Sequence, residues 1–157
     1  MNENNISEQL RVTWIIYGAL ILGLLTFFSI AIFIVENKKF EPIKSIDEIF
    51  KLLIPLAGFA AMFLARNIYN KNISSVNYNE DLVSKINKYR TFKIIQWALV
   101  GSVGFLSNVG FIITGNYLHA IVFLFMLGFF ILIRPSKKQF LNDFKISSEQ
   151  KKLFLIR

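Results

Sequence analysis

Residues 12–35 read VTWIIYGALILGLLTFFSIAIFIV, 24 positions without a charged side chain. A bilayer hydrocarbon core about 30 Å thick is crossed by roughly 20 apolar residues wound as a helix. This run is long enough to span it. The residues before it, MNENNISEQLR, set Glu3 and Glu8 against Arg11. A secretory leader has a basic start, a shorter apolar core and a small-residue cleavage site. The segment has none of these, so the expectation is an uncleaved first span.

Two similar runs lie downstream. Ile94 to Thr114 is polar only at Gln96, Ser102, Ser107 and Asn108, and Tyr117 to Ile133 stops at Arg134-Pro135. Only Gly115-Asn116 separates them, and helices joined so briefly pack as antiparallel neighbours. The weaker run is Leu52 to Ala65, 14 residues containing Pro55, for which a re-entrant helix is the alternative. Ser45-Ile46-Asp47-Glu48 has capping-box spacing, and a helix begun there reaches from Ile46 to Arg66, roughly 31 Å at 1.5 Å per residue. The expected fold class is all-α. An integral membrane bundle of four transmembrane helices, about 12–35, 46–66, 94–114 and 117–133, occupies residues 1–135. A basic amphipathic cytoplasmic tail, 136–157, follows it.

Composition agrees with this reading. Hydrophobic residues make up 54% of the chain and charged ones 18%, whereas soluble domains carry about a quarter charged. With no cysteine, disulfide staples, thiolate metal sites and cysteine nucleophiles are excluded. The net charge of +8 comes from basic residues that flank apolar runs. That distribution points to a membrane surface and away from nucleic acid. Phe, Ile, Asn and Lys are frequent and have AT-rich codons, which suggests a low-GC bacterium and its inner membrane.

Cytoplasmic loops carry the excess of Lys and Arg. With four spans, the N-terminus, the 66–93 loop and the tail hold 14 of the 18 basic residues, against Lys38, Lys39, Lys44 and Lys51 on the other side. The first side is expected to be cytoplasmic. If the second run fails to cross, the N-terminus moves outside while the central loop and tail remain inside. Trp14 and Trp97 fall at the inner headgroup depth and Tyr117 at the outer one, as amphipathic rings prefer.

The spans contain no acid or base between their boundary charges, which argues against a proton-coupled pump. His119 has no second His, Cys or carboxylate at i+3 or i+4. We expect an interfacial histidine bonded to water or headgroups. Gln96, Ser107 and Asn108 suit either a polar path or hydrogen bonds between packed helices, and Gly101, Gly104, Ala57, Ala61, Ala65, Ala19 and Gly23 suit close helix packing. Phe123, Phe125, Phe129 and Phe130 crowd several faces, which favours lipid contact. Leu82, Ile86 and Tyr89 extend the third helix into the cytoplasm, capped by Asn79 or Asp81.

The tail reads PSKKQFLNDFKISSEQKKLFLIR. Ser136 can cap a short helix with Phe140, Leu141 and Phe144 on one face, and Ser147 to Gln150 can start another. Such pieces lie on anionic lipid, dock a partner or fold back on the spans. Pro135-Ser136-Lys137, Asp143 and Ser147-Ser148-Glu149 resemble the endings of uncharacterised small multi-span membrane proteins of Bacteroidota over about 20 residues. That resemblance implies no activity.

With no activated nucleophile, metal set or acid–base pair in view, the expectation is a non-catalytic protein without cofactor or nucleic-acid partner. It would act through helix packing and contact with membrane lipids, a second copy or a membrane protein partner. The alternative is a subunit of an oligomeric small-molecule or ion channel or transporter, with a path along Gln96, Ser107 and Asn108.

Overall fold

In a computed structural model the described residues are 4–37, 43–77, 80–144 and 146. Their order is α1 (Asn4–Glu36), α2 (Lys44–Ser74), α3 (Leu82–Thr114), α4 (Tyr117–Leu132) and α5 (Lys137–Asp143). The architecture is all-α, without a strand among the described residues. Helices α1, α2 and α3 are each long and apolar enough to cross a membrane. Helix α4 has 16 residues, about 24 Å, and meets that criterion only together with α5, from which it is bent by 67°.

The α3–α4 turn is built as its residues suggest. Gly115 takes φ 65° and donates its N–H to the Phe111 carbonyl at 2.8 Å, the left-handed C-cap that a residue without Cβ adopts freely. The Asn116 side chain then accepts from the Leu118 N–H at 3.0 Å and starts α4.

Helix α2 runs unbroken through Pro55, so the re-entrant alternative gives way to a continuous helix. A membrane helix tolerates an internal proline when neighbouring groups satisfy the freed carbonyl. Its start differs from the expected capping box. Ile43 occupies the N-cap without a side-chain bond; its N–H donates instead to the Ile113 carbonyl at 3.0 Å. Glu48 turns to Lys51 at 3.1 Å. A backbone bond to the last turn of α3 fixes the start of the helix where a side-chain cap was expected.

Asp81 caps α3, accepting from the Ser84 N–H at 3.2 Å; Asn79, the other candidate, lies outside the described residues. Beside it, the Glu80 carboxylate receives Lys88 Nζ at 2.6 Å, the Asn77 N–H at 3.1 Å and Ser84 Oγ at 3.4 Å. These donors, Lys88 first, hold the Glu80 carboxyl below the usual carboxylate range. A depressed carboxyl contributes stability above its unfolded pKa and loses it as pH falls through the folded value. We therefore expect the amides of Ser75, Val76, Asn77 and Glu80, all hydrogen-bonded, to stay protected from pH 8 down to about 5, then to exchange faster below about pH 4. Hydrogen exchange corrected for intrinsic rates reads this, and Glu80→Gln should abolish the acid step.

Ring contacts establish the directions. Tyr17 meets Trp97 at 5.2 Å and Phe27 meets Phe105 at 4.4 Å, so α1 and α3 run parallel. Phe130 meets Tyr17 at 5.5 Å and Phe123 meets Phe28 at 4.4 Å, so α4 runs against α1. Helix α2 opposes α3, with Ile54 beside Gly110 at one end and Tyr69 beside Lys93 at the other. Helix α3 is the hub, with half of its apolar window buried against 6% for α1.

The middle of the bundle packs Tyr17, Ala61, Ala65, Trp97, Met126 and Phe130. Phe123 and Phe130 are buried against α1 aromatics, which corrects the expected lipid contact for these two; Phe129 packs partly against the same core, and Phe125 is exposed and so open to lipid. Leu52, Phe59 and Phe63 of α2 and Leu132 of α4 are exposed, a surface suited to lipid.

Helices α2 and α3 project beyond the bundle, and the described residues of the tail, 136–144 and 146, fold back on them. Ser136 caps α5, accepting from the Gln139 N–H at 3.5 Å. Phe140, Phe144 and Ile146 join Tyr69, Leu82, Ile86 and Tyr89 in a buried cluster. The second capping box, Ser147 to Gln150, lies outside the described residues, as do Lys38 and Lys39.

Candidate functional site

Polar side chains gather at three heights in the bundle. At the end where α5 docks, Lys93 is 1% exposed. Its Nζ donates to Gln96 Oε1 and to the Ile133 carbonyl, both at 3.2 Å, and lies 4.5 Å from the centre of the Tyr69 ring. Trp97 Nε1 also donates to the Ile133 carbonyl at 3.2 Å. The last carbonyls of a helix lack partners within it and favour a nearby cation. Lys93 and Trp97 thus close the end of α4. Tyr89 Oη accepts from the Ser136 N–H at 2.9 Å and donates to its carbonyl at 3.3 Å, while Tyr69 Oη donates to Asp143 at 2.9 Å. These tyrosines latch the tail.

At mid-depth, Ser107 donates to the Val103 carbonyl of its own helix at 2.9 Å. Asn108 is fully buried, and neither atom of its amide has a hydrogen-bond partner. The two residues are adjacent in sequence, yet about 100° of helical rotation separates their faces. Ser107 lies one turn above Val103, which faces Gly58 of α2, and Asn108 one turn above Gly104, which faces Leu24 and Phe123. Gln96 lies about 17 Å below Ser107 along the axis. The three do not form one lining.

The small residues divide. Ala61 and Ala65 are buried and Ala57 packs partly against the same core. Gly101 brings Phe130 to within 3.6 Å of where a Cβ would stand, and Gly104 brings Leu24 and Phe123 to 3.7 Å. Ala19 and Gly23 are exposed on α1.

At the opposite end, Asp47 of α2 accepts two bonds from Asn116 Nδ2, at 3.0 and 3.1 Å, and pairs with Lys51 Nζ at 2.9 Å. His119 Nε2 approaches Asp47 Oδ1 at 3.4 Å. The histidine is fully buried with the Phe50 ring edge-on at 6.2 Å. This corrects the expected water-bonded, interfacial His119. Its carboxylate neighbour comes from another helix, 72 positions away, where no i+3 or i+4 search reaches. The approach is ionic in distance but not shaped as a hydrogen bond. Two potential ligands fall short of the three or four protein ligands that a metal site uses. Tyr117 Oη bonds Glu36 and ties α4 to the end of α1. No sequence signal marked Lys93, Tyr69 or Asp47 as interacting.

Comparison with known proteins adds no kinship: no family model matches the chain, and no curated protein or solved structure is similar to it.

Proposed function

We propose that this is a four-span protein of a bacterial inner membrane, with its N-terminus, α2–α3 turn and tail in the cytoplasm. It works through its surfaces, by packing and by contact with lipid or a membrane protein partner, and neither by catalysis nor by conduction. The observation that carries the reading is the separation and closure of Gln96, Ser107 and Asn108, which are buried at different heights or on different faces. Two hollows along the flanks of the bundle are lined mainly by apolar side chains. Orientation rests on the basic residues: Arg11, Arg66, Arg134 and Lys138 cluster toward the end bearing the tail, and Lys51 lies at the other.

Purified protein in sealed vesicles should leave ion and small-solute permeability at the protein-free level. Flux that disappears in Asn108→Leu would overturn the surface reading and favour the oligomeric path. In intact cells a tag at Met1 and one after Arg157 should both resist external protease, and an impermeant amine reagent should label Lys51. External cleavage at Met1 without labelling of Lys51 would end the four-span topology.

A further inference from the structure

Helices α1 and α3 run side by side and leave an apolar hollow of about 480 Å³ between them. Trp97 and Phe130 border it, while Ala19, Gly23, Ala98 and Gly101 keep it open. A Cβ on Gly23 would meet nothing within 4 Å. From Ala19 to Phe27, and from Trp97 to Phe105, the trough follows eight helical steps, about 12 Å. One leaflet of a bilayer core is roughly 15 Å deep, so the trough matches most of one acyl chain.

Its cytoplasmic mouth is basic. On α1 the i+4 ridge through Phe27, Gly23, Ala19 and Ile15 ends at Arg11. On α3 the ridge through Ser102, Ala98 and Ile94 ends at Arg90, which holds Asn87 at 2.8 Å. Arg134 follows the carbonyl that Trp97 grips. Arg11 and Arg134 are exposed and have no ion-pair partner among the described residues, whereas Lys51 and Lys88 do. A second copy seated here by two-fold symmetry would bring the same arginines toward one another, at a repulsive cost. A lipid phosphate would neutralise them.

We propose that the trough holds an acyl chain of an anionic phospholipid from the cytoplasmic leaflet, its phosphate drawn to Arg134 and Arg11. The proposal rests on the inward orientation above and adds the ligand. The chain has two tryptophans, so Trp14→Phe leaves Trp97, on the trough wall, as the sole reporter. In phosphatidylcholine vesicles doped with chain-brominated lipid, quenching by brominated phosphatidylglycerol should exceed quenching by brominated phosphatidylcholine. Each arginine should contribute about fivefold to that preference, which Arg134→Gln should reduce by its share. Gly23→Leu should fill the trough and weaken quenching by both lipids. Equal quenching by the two lipids, or a Gly23→Leu variant quenched as before, overturns the site. A tag after Arg157 in intact cells separates the two layers. If it faces outside, the orientation fails and the leaflet assignment with it; if it faces inside and the lipids quench equally, only the lipid site fails.

Discussion

Replacing Phe140 with alanine is expected to release the tail from the bundle while the spans stay folded. Phe140 is fully buried, with Tyr89 at 5.3 Å and Phe144 at 5.1 Å between ring centres. Truncating a buried phenylalanine costs about 3–5 kcal/mol. What remains to hold the segment is chiefly the Tyr69–Asp143 and Tyr89–Ser136 bonds with Phe144 and Ile146, and each hydrogen bond nets only about 1 kcal/mol. A helix of seven residues has too little cooperativity to persist alone. Limited proteolysis should therefore cut within residues 136–146 of Phe140→Ala, with bundle unfolding in detergent little changed. A tail still protected while the whole bundle unfolds earlier would show that the cluster supports the spans instead.

The second large effect is expected at Gly110, where side chains of α2 and α4 press on the backbone of α3. A Cβ there would stand 2.7 Å from Ile54 Cδ1 and 3.4 Å from both the His119 and Phe50 rings. Ile54 is fully buried, so its methyl has little room to swing away. Alanine is a poor probe, because its helix propensity gain of about 1 kcal/mol over glycine offsets part of the clash. Leucine should cost about 3 kcal/mol by overpacking, read as reversible unfolding in mixed micelles. Gly110→Ala combined with Ile54→Val, which removes the offending methyl, should be more stable than the sum of the single changes predicts. Additivity within error would mean that the helices separate instead of repacking.

Much of the architecture was legible because it rests on short-range chemistry. The first run declares its own length, Gly115-Asn116 can hardly be anything but a turn, and Asp81 and Ser136 sit one residue ahead of the helices they cap. Ser45 misled because the α2 start is held by a bond from Ile43 to Ile113, on a different helix. Pro55 left a re-entrant helix open as the alternative to the expected continuous one because a proline's effect depends on the neighbours around it. The candidate site was less legible. Gln96, Ser107 and Asn108 were recognisable as the polar residues of one helix, but their separation onto different gaps depends on where α1, α2 and α4 stand.

The sequence by itself determined that the chain is helical, where its apolar runs lie, and that the last two long helices meet at a two-residue turn. These follow from run length, turn residues and caps, all within a few positions. Only the tertiary structure decided that Phe123 and Phe130 face inward, that His119 lies against Asp47, that Lys93 closes α4 and that the tail folds onto α2 and α3. The reason is that these helices are apolar on most of their faces. Lipid tails are as apolar as a protein core, so hydrophobicity does not tell an inward face from an outward one. Only close packing and long-range polar contacts distinguish the faces, and those join residues dozens of positions apart.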